Sequence, residues 1–241
     1  VDLPGTYSLL SNSMEEEIAR DFICFGNPHA TVVVTDATRL ERNLNLVLQI
    51  LEMTNKVVVC VNLMDEAKKK QIKIDLKLLS KLLGVPVVGT NARSGEGLEE
   101  LMAAVKKVAQ EELKPQPLKV RYHKEIEEII EQVEENIQES VSTKLNSRWV
   151  SLKILDQDSS IIKTIEKYLE ADLPTAPTSF DEINSEAVRD EIVSSIIKTA
   201  EGLSKQVVRI DNSRHNELDK KIDDILTSKS LGIPTMIALL G

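Results

Sequence analysis

Two uncharged runs, Thr31-Val-Val-Val-Thr35 and Val57-Val-Val-Cys-Val61, constrain this chain more than any other feature. A strand with one wet face alternates apolar and polar residues. A continuous β-branched run instead marks a strand covered on both faces, as in a parallel sheet flanked by helices. Between the runs, from about Leu40 to Met53, Leu44, Val47, Leu48 and Leu51 fall on one helical face. Strand, helix and strand in that order predict a right-handed crossover with parallel strands. The pattern then repeats. Asp75 is placed to cap a helix carrying Leu76, Leu79, Leu82 and Leu83, which Gly84 terminates. Val85-Pro-Val-Val88 reads as a third strand, and Gly97 precedes an amphipathic helix to about Leu113.

The second half reads differently. The prolines of Lys114-Pro-Gln-Pro117 stop the helix and favour an extended spacer, so 114–119 is expected to be a linker between a first domain, 1–113, and a second, 120–231. No strand pattern persists beyond it. Ile126, Ile129, Ile130, Val133, Ile137, Val141 and Leu145 form a stripe on a long acidic helix, and further helices fit Ser160–Leu169, Glu186–Gly202 and Asn216–Leu226. The expected fold class is α/β followed by a small all-α helical bundle.

Composition narrows the function. With 39 acidic against 30 basic residues the net charge is −9, which argues against general nucleic-acid binding, where cations must meet phosphates. Aromatic residues are only 3 %, so the core must be built of aliphatic side chains. Cys24 and Cys60 lie in apolar segments and read as buried thiols in a reducing compartment. His29, His123 and His215 are scattered and show no metal-ligand spacing. Val1-Asp2 has the look of a strand end. The uncharged run 232–241 is half of the roughly 20 residues that span a bilayer, and Lys220, Lys221 and Lys229 precede it. It reads as the start of a truncated transmembrane segment, in preference to a buried C-terminal helix.

Three short motifs follow the strands. Asp2-Leu3-Pro4-Gly5 sits directly after the first strand end. A strand-end Asp can hold Mg²⁺ through water, and a following Gly lets its N–H approach a terminal phosphate. Asn62-Leu63-Met64-Asp65 follows the second run, where ligands bind in open α/β sheets. The Asp65 carboxylate would accept from guanine's ring N–H and 2-amino group, Asn62 would tie the loop, and Leu63 would lie on the base. Thr90-Asn91-Ala92 follows the third strand, and its turn would present the Ala92 N–H to the guanine carbonyl. Each motif alone also fits a plain turn. In this order and on these elements, they have the layout of translation-factor-type GTPases, on an incomplete Ras-like P-loop GTPase sheet.

DLPGTYSL, EEEIARDFI, VTDATRLERNLNLVLQILE and NLMDEAKKK together resemble the G domain of the ferrous iron transport protein B (FeoB) family. LNSRWVSLKIL and KIDDILTSKSLGIPTMIALLG resemble that family's helical domain and its entry into the membrane. The resemblance implies a guanine-nucleotide-binding regulatory part of a bacterial ferrous iron transporter. Its ligands would be GTP or GDP with Mg²⁺ at Asp2, its partner would be its own membrane-embedded transporter domain, and its place the cytoplasmic face of the inner membrane. Self-association is compatible with it, and nucleic acid is not an expected partner. The alternatives are a soluble ribosome- or tRNA-associated GTPase and a nucleotide-free interaction module.

Two departures from the family pattern matter. None of the nine glycines is followed by Lys, so GxxxxGK[ST] is absent, and with it the following helix and the switch I threonine. Asn91-Ala92 stands where the family often has Ser-Ala. Thr6 stands where Ras-like proteins carry a water-orienting Gln, which implies slow hydrolysis even in a complete parent. Switch II would run through Ser8–Ser13, and Ser13-Met-Glu-Glu16 reads as a capping box. The resemblance also implies a further central strand beside Thr31–Thr35. Without it, Val32, Val33 and Val34 are expected to lose cover and the first half to fold poorly.

Overall fold

Both uncharged runs form strands, and they pair in parallel. The structure is a computed structural model that describes residues 1–6, 8–9, 13–141, 144–175 and 185–210. In it β1 (Thr31–Asp36) runs beside β2 (Val57–Asn62), Thr31 opposite Val57 through Asp36 opposite Asn62. β4 (Val87–Gly89) pairs in parallel on the far side of β2, giving the order β1-β2-β4. The strand begins two residues later than the sequence suggested, because Pro86 has no N–H for the ladder; its carbonyl accepts from Val59 N–H at 2.9 Å. Every apolar residue of β2 is buried, as the unbroken run requires.

The crossovers are helical. α1 (Met14–Phe25) starts at Ser13, whose side chain accepts from Glu16 N–H, and α2 (Leu40–Met53) follows a short 3₁₀ turn after β1. α3 (Met64–Lys69), α4 (Leu76–Leu83) and α5 (Leu98–Ala109) complete the first half. Asp75 caps α4 by accepting from Leu78 N–H at 2.9 Å, and Gly84 ends it in the left-handed conformation at φ 69°. A side chain at Gly84 would place its Cβ 1.9 Å from the Gln116 carbonyl, so the glycine also admits the connecting strap. That strap is not a free spacer. Gln116 N–H donates to Gly84 O and Leu118 N–H to Leu83 O, laying 116–118 along the end of α4.

Beyond the strap come α6 (Lys124–Val141), α7 (Ser147–Leu155), α8 (Ser159–Leu169) and α9 (Ser185–Val207). The stripe from Ile126 to Leu145 is buried. The expectation of no further strand is wrong. β5 (Val208–Ile210) pairs antiparallel with β3 (Ile72–Ile74) of the first half, and Asp75 N–H donates to Val207 O to extend the seam. Three-residue strands leave no periodicity to read, and each is held by the other. The helix expected at Asn216–Leu226 and the run 232–241 lie outside the described residues, as does most of 174–184. Among the described residues no helix is long and apolar enough to cross a membrane.

The apolar core continues without a break from the sheet, through α2, into the helical half. At the junction, charged groups are sealed in. Arg148 on α7 donates to both Glu127 oxygens at 2.8 and 2.9 Å and to Val120 O at 2.8 Å, and its Nε lies 3.6 Å from Glu52 Oε2 on α2. Glu52 Oε1 in turn accepts from Val120 N–H at 3.0 Å. Burial pushes the Glu52 carboxyl up to about 7 against the opposing pull of Arg148.

At the open side, Val1-Asp2 is not a strand, since among the described residues β1 pairs with β2 alone and offers those residues no ladder. The loss of cover on β1 falls on one face only. Val33 faces the core and is buried, whereas Val34 on the opposite face is 62 % exposed. Cys24 and Cys60 are both buried, free thiols.

Candidate functional site

Two loops meet at the C-terminal edge of the parallel sheet. The first begins where Asn62 ends β2 and Leu63 turns the chain with φ 63° and ψ 35°. This left-handed conformation is uncommon for a branched side chain, and it starts α3 within one residue of the strand. Leu63 is left 40 % exposed at the rim. The second loop follows β4, and its turn is closed by Asn91 N–H donating to Glu96 O at 3.0 Å. Asn91 O accepts from the N–H groups of Ser94 and Gly95, each at 3.0 Å. Gly97, at φ 79°, is obligatory, because a Cβ there would fall 2.2 Å from Gly89 O.

Asn62 joins the loops. Its Oδ1 accepts from the Thr90 hydroxyl at 3.2 Å and from Ala92 N–H at 3.0 Å. Having given its one proton to Asn62, the buried Thr90 hydroxyl accepts from the Cys60 thiol at 3.2 Å. From the other side, Asn91 Oδ1 accepts Asp65 N–H at 2.8 Å, and Met64 N–H donates to Thr90 O at 3.3 Å. The structure therefore brings Asn62, Leu63, Met64, Asp65, Thr90, Asn91 and Ala92 together. The Asp65 carboxylate is exposed at the surface of this knot. One detail differs from the expected arrangement. The Ala92 N–H donates to Asn62, so an incoming carbonyl must take that proton from it. Asn91, which departs from the family's usual Ser, now has a visible role in pinning the start of α3.

Asp2, Leu3, Pro4 and Gly5 are placed elsewhere. They line a cleft of ≈ 380 Å³ beside Val32 and Val34 on the open side of β1, and no described hydrogen bond links them to the two loops. A Cβ at Gly5 would meet nothing within 4 Å, so the isolated motif is not sterically fixed here. Thr6 turns its hydroxyl to the Ser8 carbonyl and lies 3.3 Å from Glu16 Oε1. The loop after it is anchored by a residue that sequence reasoning missed. Gln49, buried on α2, accepts from Leu9 N–H at 2.6 Å and lies 3.3 Å from Ser8 Oγ. The only signal for it was an amide in the middle of an apolar helix stretch.

Comparison with known proteins finds relatives along the chain. A family model described as "Ferrous iron transport protein B" matches residues 1–105, and one described as "FeoB cytosolic helical domain" matches residues 122–209. The Fe(2+) transporter FeoB of Staphylococcus aureus (strain MSSA476) is 28 % identical over 242 residues, covering 100 % of this chain and 36 % of its own length. An Fe(2+) transport protein A/FeoB fusion of Porphyromonas gingivalis is 31 % identical over 251 residues, covering 100 % of this chain and 30 % of its own. The chain thus spans about a third of the length of these curated relatives. Among solved structures, the cytosolic domain of T. maritima FeoB in a GDP form superposes with a TM-score of 0.73 at 33 % identity, covering 86 % of this chain and 78 % of that one. Its GMPPNP form gives 0.72 at 33 % identity, covering 87 % and 80 %. On this agreement of sequence and fold, the chain belongs to the ferrous iron transport protein B family.

Proposed function

We propose that this chain is the guanine-nucleotide-responsive part of a ferrous iron transporter at the cytoplasmic face of a bacterial membrane. The observation that carries the proposal is Asn62 Oδ1 accepting from both Thr90 and Ala92, which fuses the two base-recognising loops into one rigid edge. Asp65 offers the carboxylate that guanine's two neighbouring donors require and adenine cannot match. Leu63 offers an apolar surface beside it. Solved relatives of this family bind GDP and GMPPNP, which supports the same ligand class here.

Mg²⁺ fits less well. Among the described residues no three His, Cys, Asp or Glu side chains converge on a metal position, and Asp2 is a lone exposed carboxylate. In this proposal Asp2 meets the ion only through water, beside the nucleotide's phosphates. The loop after Gly5 is anchored on α2, and α2 packs against the helical half through α9 and α7. A change of that loop therefore reaches the helical half directly, and from there the transporter domain.

Titration with a fluorescent guanine nucleotide, with the adenine analogue as control, tests this reading. Guanine should be preferred but weakly held, since the sequence holds no GxxxxGK[ST] to cradle phosphates. Equal affinity for adenine would sink the base site, and micromolar or tighter binding would sink the need for a phosphate cradle.

A further inference from the structure

α2, α7 and α9 enclose a cavity of ≈ 40 Å³ where the two halves of the chain meet, and Leu9 forms part of its wall. Most of the lining is apolar, with Met53, Trp149, Leu152, Ile192 and Ile196 as its main surfaces. Set among them are Glu52, Tyr122, Lys153 and Asp156. Burial displaces the proton affinity of all four, upward for the two carboxyls and the phenol and downward for the lysine.

Two polar atoms of this set have no hydrogen-bond partner among the described residues, Tyr122 Oη and Asp156 Oδ1. Arg189 Nε stands 4.0 Å from Asp156 Oδ1, beyond hydrogen-bond reach, and Lys153 Nζ is 3.6 Å from Oδ2. Native interiors leave few buried donors or acceptors unpaired. A mostly apolar cavity with a few polar groups of displaced proton affinity, at the junction of two units, has the lining of a small-molecule site, at a volume well below the usual ~300–1,000 Å³.

We propose that this cavity binds a small uncharged molecule with an apolar body and one polar edge that both accepts and donates, such as a carboxamide. The carbonyl accepts from Tyr122 or Lys153, and the N–H donates to Asp156 Oδ1. Carboxylate ligands are disfavoured by Asp156 and Glu52, and ammonium ligands by Lys153 and Arg189. At roughly 10–15 Å³ per water position, the space takes only a few waters, so a ring-sized body needs one wall to yield. Leu9 is that wall. It belongs to no helix, and its N–H is held by the single side chain of Gln49. The binding does not rest on the nucleotide reading.

Benzamide is a suitable probe, titrated by NMR into the nucleotide-free chain with toluene as the control lacking a polar edge. Saturable, millimolar binding is expected, with shifts at the Trp149 indole and the Leu9 amide. Tyr122→Phe, which keeps the ring, should weaken benzamide about five- to tenfold and leave toluene unchanged. Leu9→Ala should tighten both. Absence of saturation in both the wild type and Leu9→Ala overturns the proposal. So does equal benzamide affinity in a folded Tyr122→Phe; if that variant does not fold, the same comparison is made with Asp156→Asn. No nucleotide is present, so failure here is separate from failure of the guanine site.

Discussion

Glu52 on α2 and Arg148 on α7 meet across the junction of the two halves, Oε2 to Nε at 3.6 Å, with both side chains more than nine-tenths hidden from water. The pair is not an isolated ion bridge. Glu127 and the Val120 backbone complete its hydrogen bonds, so α2, the strap, α6 and α7 share one polar knot inside an aliphatic core.

This knot sets a pH dependence. Burial raises Glu52 from its ordinary 4.5 to about 7, so between those values the folded chain holds a proton that the unfolded chain has lost. Stability from this group is therefore full below about pH 4.5 and falls as pH rises towards about 7. The predicted difference across that window, wild type against Glu52→Gln, is at most about 3 kcal/mol. Urea melts at several pH values measure it. Parallel profiles for the two proteins would remove Glu52 from the account.

Arg148→Ala should be far more damaging than Glu52→Gln. It leaves Glu52, Glu127 and the Val120 carbonyl facing each other without their shared donor, a loss of about 3–5 kcal/mol for a buried pair broken on one side. Chemical denaturation at neutral pH reads this, and a loss below about 1 kcal/mol would show that water reaches the site freely.

The open edge of β1 predicts alternating hydrogen exchange. Thr31 N–H donates to Lys56 O across the β1–β2 ladder, so Val33 and Thr35 should share its orientation while Val32 and Val34 turn their N–H groups outward. Slow exchange at Val33 and Thr35 beside fast exchange at Val32 and Val34 is expected. Ile129–Ile137 on α6 should be uniformly slow. Uniform protection along β1 would mean that its edge is covered in solution.

Where local chemistry decides structure, the sequence was readable. Asp75 and Gly84 marked both ends of α4, and Leu40 to Met53 was read to the residue. α7 was missed for a physical reason. Residues 148–155 are all buried, so the helix has no wet face and hence no stripe with a 3.6-residue period. β3 and β5 were missed because neither is a strand without the other. Within the site, NxxD and TxA could be placed after their strands. The Ala92 to Asn62 bond could not, since it depends on how two loops far apart in sequence come together.

Asp65 can be tested in a chimera that carries the N-terminal segment of the T. maritima relative. Asp65→Asn replaces an acceptor with an amide that can donate, which should turn preference from guanine towards xanthine nucleotides. Competition between GTP and XTP measures the change. Retained preference for GTP would mean that Asp65 does not read the base.

The seam between β3 and β5 bears on how the chain is made. Translation at about 5–20 residues per second releases Ile72–Ile74 many seconds before Val208–Ile210 exists. Throughout that interval Ile72–Ile74 has no β5 to pair with, so its backbone groups stay open to other chains. Lys73, exposed between the two isoleucines, puts a charge on it. A segment made 134 residues later thus completes a strand pair in the first half, and Lys73 keeps a charge on the waiting segment until it arrives.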